Sequence, residues 1–162
     1  MMFRVGDIVM HPGCGICKVI GMTCNKAKAE EIKYVLKPKK PLPGDFELLI
    51  SEEKLGECGV RYPIDKHQIP QVFQIFKKNP NDLSDDSKSG YPLTKEKIKT
   101  GDIYKIAEAI RDLEARDSIV LFSNSNSLLQ SARNIFIEEI AFVEAGSKSN
   151  IEKLIDDMLR KR

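Results

Sequence analysis

The chain has no tryptophan, only two histidines and only four cysteines among its 162 residues. A structural zinc site needs four good ligands in clustered pairs, and this sequence has few to offer. No apolar run approaches the roughly 20 residues needed to cross a bilayer, and "MMFRVGDIVM" lacks the layout of a secretory signal. A cytoplasmic protein is expected. There is no phosphate-cradling glycine loop, no paired-histidine metal motif and no nucleophile elbow, so no enzyme site and no cofactor are expected. Nor is the chain a polycation, since its formal net charge is only +2. With 41% hydrophobic and 31% charged residues, it is long enough for one large domain or two small ones.

What is present begins with "HPGCGICKV", which sets Cys14 and Cys17 in a C-x-x-C spacing. A thioredoxin-like site needs its C-x-x-C to open a helix, so that the helix N-terminus lowers the thiol pKa. "CKVIGM" follows instead, and it is strand-like. His11 would be a third nearby ligand, but Pro12 and Gly13 after it are turn chemistry, while Cys24 and Cys58 have no second pair. Two thiols incidental to a hairpin are the simpler reading. A thiol-redox or zinc protein using Cys14 and Cys17 is the alternative function.

Four extended runs make up the N-terminal third: "RVGDIVMHP", "GICKVIGM", "EEIKYVLKP" and "DFELLIS". They are short, rich in branched residues and separated by turns, which predicts a small antiparallel barrel. "KPKKPLPGD", with three prolines in nine residues, predicts a loop between strands three and four. A barrel this small fills its interior with side chains, so its function should lie on its outer surface.

From residue 65 the period changes to that of a helix. Ile69, Val72, Phe73 and Phe76 fall at helical offsets, with Pro70 in the first turn. "NPNDLSDDSKSGYP" reads as a solvated loop. Three amphipathic stripes follow. The first is Ile103, Ile106, Ala107, Ile110 and Leu113, capped by Thr100 or Asp102. The second is Leu128, Leu129, Ala132, Ile135, Phe136, Ile140 and Val143. The third is Ile151, Leu154, Ile155, Met158 and Leu159, capped by Ser149 or Asn150. Each is core that buries against the others. The expected fold class is α+β and multi-domain, with a β-barrel over 1–64 and a compact all-α domain over 65–162.

That order carries a resemblance. "FRVGDIVMHPGCGICKV" resembles the opening of the CarD/CdnL family of bacterial RNA polymerase-binding transcription regulators, matching its pattern at Val5, Gly6, Asp7, Val9, Pro12, Gly15 and Val19. His11 stands in the usual tyrosine place and Cys14 in the usual histidine place. The likeness continues through "EEIKYVLKP", "VFQIFKK", "LLQSARNIFIEEIAFVEA" and, best of all, the run from Gly101 to Leu113. It implies a Tudor-like, SH3-like barrel that docks on the polymerase β subunit by an edge strand. It also implies a helical domain that contacts promoter DNA at the upstream edge of the transcription bubble and stabilises the open complex.

Carried onto this sequence, the polymerase-binding residues implied are Phe46, Glu47, Leu48, Leu49 and Ile50, with Asn25, Lys26 and Lys28 near a second basic position. Relatives carry an arginine where Leu49 stands. On the DNA side, relatives place a tryptophan wedge four residues before a tyrosine, followed by arginines. Here Tyr91 matches the tyrosine, Ser87 occupies the wedge position and Lys88 begins the basic run. Ser87 cannot unstack a base step as an aromatic wedge does. From residue 65 onward, 16 lysines and arginines face 16 aspartates and glutamates. Any DNA contact should therefore come from a local patch of Lys88, Lys95, Lys97, Lys99 and Lys105, opposed by Glu96 and Asp102, against the bland alternative of an ordinary solvated face. The carboxylate pairs Asp85-Asp86 and Glu138-Glu139 are read as having no chemical role. The partners expected are the polymerase β subunit and promoter DNA, bound weakly and without sequence preference, by a monomer with no membrane association. Docking of the barrel on another partner, such as a repair or elongation factor, is a lesser possibility.

Overall fold

Four strands form where branched and aliphatic residues alternate between turns: β1 (Ile8–His11), β2 (Gly15–Asn25), β3 (Glu31–Pro38) and β4 (Leu48–Ser51). The structure is a computed structural model and describes residues 3–25, 27, 31–40, 47–117 and 123–160. The strands pair antiparallel in chain order, β1-β2-β3-β4. The proline-rich stretch expected to join β3 to β4 lies largely outside the described residues. Beyond the three ladders, β1 makes one isolated bridge, Met10 with Arg61. Among the described residues no pairing closes β4 onto β1, so the described part is an open meander, and barrel closure remains an expectation.

One face of the sheet buries Val9, Cys17, Val19, Tyr34 and Leu36 against Phe3, Leu55 and Val60, with Leu48 and Ile50 partly buried beside them. Alternation along β2 breaks at a bulge between Val19 and Gly21. Val19 pairs with buried Leu36, whereas Gly21, two residues on, pairs with Val35 on the opposite face. An extra residue in one strand produces that flip. The Gly6-Asp7 pair ties the chain before β1 into the same unit. Gly6, at φ 98°, donates to the Val19 carbonyl at 2.7 Å. An Asp7 carboxylate oxygen accepts the Tyr62 hydroxyl at 2.6 Å and the Arg4 amide at 2.9 Å.

The chain divides into two compact units, Met1–Pro63 and Ile64–Arg162. The second contains α1 (Ile69–Gln74), α2 (Ser84–Lys88), α3 (Pro92–Lys99), α4 (Ile103–Asp117), α5 (Ser123–Glu144) and α6 (Lys148–Arg160). Its core joins Ile69, Val72, Phe73 and Phe76 to the α4 stripe, to Phe136 and Ile140 of α5, and to Ile151 and Ile155 of α6. Phe73, Phe76 and Phe136 meet edge to face with centroids 5.3–5.7 Å apart. An antiparallel sheet followed by helices is the α+β class expected from the sequence. Among the described residues no helix is long and apolar enough to cross a membrane.

Three local expectations are corrected. The stretch read as a loop between α1 and α3 contains α2, a helix of five residues, and Asp82 just before it accepts the Ser84 amide at 2.9 Å. The cap of α6 is Ser147, whose hydroxyl accepts the Asn150 amide at 3.1 Å, so Ser149 and Asn150 lie inside the helix. Leu154, assigned to the α6 stripe, is exposed. Asp102, by contrast, does cap α4, accepting the Tyr104 amide at 2.9 Å.

Candidate functional site

Two places bring the expected site residues together, one in each unit. In the sheet unit, β4 is a terminal strand, paired only with β3 among the described residues. Its side chains alternate across the sheet. Leu48 pairs with Leu36 and Ile50 with Tyr34, and both pack on the core. Leu49 pairs with Val35 on the opposite face and is 58% exposed, so it is not a core residue. Glu47 is exposed as well. The strand therefore offers one outward apolar side chain, Leu49, with exposed Glu47 just before it, beside a row of backbone groups that is unpaired among the described residues. Phe46, Lys26 and Lys28 lie outside the described residues, and of Asn25 only the main chain is described, as the last residue of β2.

The C-x-x-C pair sits at the opposite end of the chemistry from a redox centre. Three residues, 12 to 14, connect His11 to its partner Gly15, which takes the left-handed φ of 73° that the tight connection requires. The His11 Nδ1 accepts the amides of Gly13 and Cys14 at 3.0 and 3.2 Å. Cys14 is half-buried in this turn, and burial pushes its thiol up rather than down. Cys17 lies opposite Val9 in the core with no exposed surface. A strand follows the pair, so no helix N-terminus is placed to lower a thiol pKa as in a C-x-x-C redox site. Among the described residues no three histidine, cysteine or acidic side chains are placed to hold a metal ion.

In the helical unit, Ser87, Lys88 and Tyr91, three of the residues expected to contact DNA, lie at the corner from α2 to α3. Pro92 opens α3 and the preceding residue is Tyr91, whose side chain cannot cap a helix. The missing acceptor comes from α2. Asp86, 7% exposed, accepts the amides of Leu93 and Thr94 at 2.8 and 3.0 Å and the Thr94 hydroxyl at 2.5 Å. Burial alone would push its carboxyl up. The hydrogen bonds from Thr94 and Leu93, with the charge of Lys97, outweigh burial and hold it below the usual carboxylate range. Asp86, set aside in the sequence as part of an inert pair, is the structural anchor of the corner.

The chain turns through Gly90 at φ 80° and Tyr91 at φ 62°. A left-handed tyrosine costs about 1–2 kcal/mol, and two hydrogen bonds hold it there. Its amide donates to the Asp86 carbonyl at 2.8 Å, and its buried phenol oxygen accepts Nε–H of Arg116 at 3.1 Å. Arg116 also donates from Nη2 to the Ser87 hydroxyl at 2.8 Å, while that hydroxyl donates to the Ser84 carbonyl at 2.8 Å. Ser87 at the wedge position and Tyr91 thus form a two-hydroxyl cradle for a half-buried guanidinium from the end of α4. Arg116 enters no ion pair among the described residues. Its charge lowers the Asp82 carboxyl, after the stronger effect of the Ser84 hydrogen bonds.

The lysines separate by what they face. Lys97 turns to α4, 3.2 Å from Glu108 and 3.9 Å from Asp112, and is committed to the fold. Asp112 is itself buried and bound by Arg111 Nε at 2.9 Å and by the Asn81 amide at 2.9 Å. Lys95 and Lys99, four residues apart and exposed, share one face of α3. Lys88 and Lys105 are exposed, and Lys88 lies 3.9 Å from Asp85. Of the opposing carboxylates, Glu96 is exposed, while Asp102 is used as the α4 cap.

Comparison with known proteins gives the family. The family described as "CarD, C-terminal domain" matches residues 71–156, from within α1 into α6. A Bacillus subtilis (strain 168) protein named "Putative transcription factor YdeB" is 26% identical over 156 residues, which cover 93% of this chain and 98% of the relative. The match includes the α2–α3 corner and the whole of α4. The chain belongs to the CarD family and is a transcription regulator.

Proposed function

We propose that the sheet unit, residues 1–64, binds the β subunit of RNA polymerase by strand addition at β4. The helical unit, residues 65–162, then makes a weak, non-sequence-specific contact with promoter DNA, and together they modulate formation of the open complex. The observation that supports this most is the terminal strand β4, unpaired on its outer side among the described residues, with exposed Leu49. Backbone pairing at such an edge supplies affinity, and the side chains flanking it supply specificity. For the DNA contact the support is weaker. A serine at the wedge position leaves no aromatic to stack there, and the exposed lysines Lys88, Lys95, Lys99 and Lys105 leave phosphate attraction as the main term.

Capture of a purified RNA polymerase β fragment by the immobilised full chain tests this reading. Saturable capture that Leu49→Glu weakens, in protein of unchanged melting temperature, supports it. Absence of capture, or capture equal in the two proteins, contradicts it.

A further inference from the structure

Among the described residues the helical unit holds three arginines that are buried or half-buried, and two of them meet carboxylates. Arg111 lies 2.9 Å from Asp112, while Arg133 lies 2.9 Å from Asp156 and 3.5 Å from Glu114. Arg116 is the exception. Its Nε and Nη2 donate to the hydroxyl groups of Tyr91 and Ser87 rather than to a carboxylate. Asp82, whose carboxyl feels the Arg116 charge, is engaged by Ser84, whose amide and hydroxyl both donate to its Oδ1. A guanidinium carries five N–H donors, and the two hydroxyls occupy two of them.

A cation taken partly out of water without a counter-ion is held at a cost that an incoming anion relieves. The Arg116 side chain is only half-buried, so it remains open to solvent. Both hydroxyls that orient it are themselves fixed. The Tyr91 amide donates to the Asp86 carbonyl, and the Ser87 hydroxyl donates to the Ser84 carbonyl. A planar fork already held in place loses little freedom on meeting two oxygens of one group, and phosphate presents oxygens in that geometry. Exposed Lys88 adds positive charge next to Ser87 in the chain, offset in part by Asp85 at 3.9 Å. We infer that Arg116, oriented by Ser87 and Tyr91, is a phosphate-binding site that takes two oxygens of one phosphate group, supplied by the DNA backbone. The site gives the proposed DNA contact one fixed point beside the exposed lysines, and it rests on that reading for the source of the phosphate.

NMR of the arginine Nε–H groups in the full chain tests this, with sodium phosphate, a short DNA duplex and sodium chloride as separate titrants. Arg116→Lys identifies the Arg116 signal by its loss. In the native chain, phosphate and duplex should each move that signal saturably, the Arg111 and Arg133 signals should stay still, and chloride at equal ionic strength should move none. Arg116→Lys keeps the charge and loses the fork, so affinity for the duplex should fall about tenfold with its salt slope unchanged. Arg116→Gln should lower the affinity and also reduce the slope by about 1. The native titration decides the matter even where a variant loses stability. A signal moved by phosphate but not by the duplex overturns the DNA backbone as the source. A signal that neither titrant moves overturns the site; duplex binding through the lysines then shows as a salt-dependent affinity without it, so the proposed DNA contact stands or falls separately.

Discussion

Arg116 Nη2 lies 2.8 Å from the hydroxyl of Ser87, so the position expected to carry a wedge is instead the strut that ties α2 to the end of α4. Both capacities of that hydroxyl are in use, because it also donates to the Ser84 carbonyl. Ser87→Trp therefore has two opposite effects. Losing the strut should lower stability by about 1 kcal/mol. An indole at the corner should strengthen binding to a forked promoter fragment by about 1–3 kcal/mol relative to plain duplex, as base stacking on an aromatic does. Fluorescence anisotropy on fork and duplex, with thermal melts alongside, checks both. Equal gains on fork and duplex would remove this corner from the bubble edge.

The lysines of α3 should divide. Lys97→Gln should cost about 0.5–1 kcal/mol of stability through loss of the Glu108 and Asp112 pairing and leave DNA affinity unchanged. The double variant Lys95→Gln, Lys99→Gln should leave stability unchanged, weaken fork and duplex equally and reduce the salt slope by about 2. A salt titration of each variant decides it. A larger loss of DNA binding in Lys97→Gln than in the double variant would reverse the assignment.

Asp86 makes the strongest prediction for the fold. Removing a buried carboxylate that three donors share leaves those donors without an acceptor, so Asp86→Ala should destabilise the helical unit by about 2–3 kcal/mol. Urea unfolding followed by helical circular dichroism measures this. A change below about 0.5 kcal/mol would show that α3 does not depend on this cap.

This anchor was out of reach of sequence patterning for a physical reason. Pro92 marks the start of α3, but capping rules look for the acceptor at the adjacent residue, and Tyr91 cannot supply it. The acceptor lies six residues before Pro92, and the Arg116 strut joins residues 29 apart, separations that no helical or strand period encodes. The strands and the stripes of α4 and α5 were legible because burial imposes a period on each. The bulge at Ile20 was not, since one inserted residue in "GICKVIGM" leaves no compositional mark. The wedge substitution was legible only through the family resemblance, and what replaced the wedge only through the fold.

Acid should act on the two units in different ranges. The His11 Nδ1 must be unprotonated to accept the Gly13 and Cys14 amides, and burial lowers its pKa below the ordinary 6.5. The unfolded chain therefore takes the proton first, and the sheet unit should lose stability as pH falls below about 6.5. Asp86, held below the ordinary 3.8, stabilises the helical unit above that value and loses its contribution only as pH falls through its folded value. Residue-resolved NMR across a pH series separates the two. His11→Asn, whose side-chain oxygen can accept the same amides without titrating, should flatten the upper step; a step that persists would assign it to another group.

Thiol labelling tests the reading of the C-x-x-C pair. Cys24 and Cys58 are exposed, Cys14 is half-buried and Cys17 is buried. Two thiols should react promptly in the native protein, Cys14 more slowly, and Cys17 only on unfolding. Prompt reaction of both Cys14 and Cys17, or stoichiometric zinc in the reduced protein, would restore the redox or metal function.

The most direct measurement of the account is the lifetime of the promoter open complex formed by purified RNA polymerase, followed by a fluorescent probe in the melted strand. Native protein should change that lifetime, Leu49→Glu should abolish the change through loss of docking, and the Lys95→Gln, Lys99→Gln variant should reduce it in proportion to its weakened DNA contact. A lifetime unaffected by the native protein, or affected equally by native protein and Leu49→Glu, would contradict the claim that this chain acts on transcription by docking β4 on the polymerase.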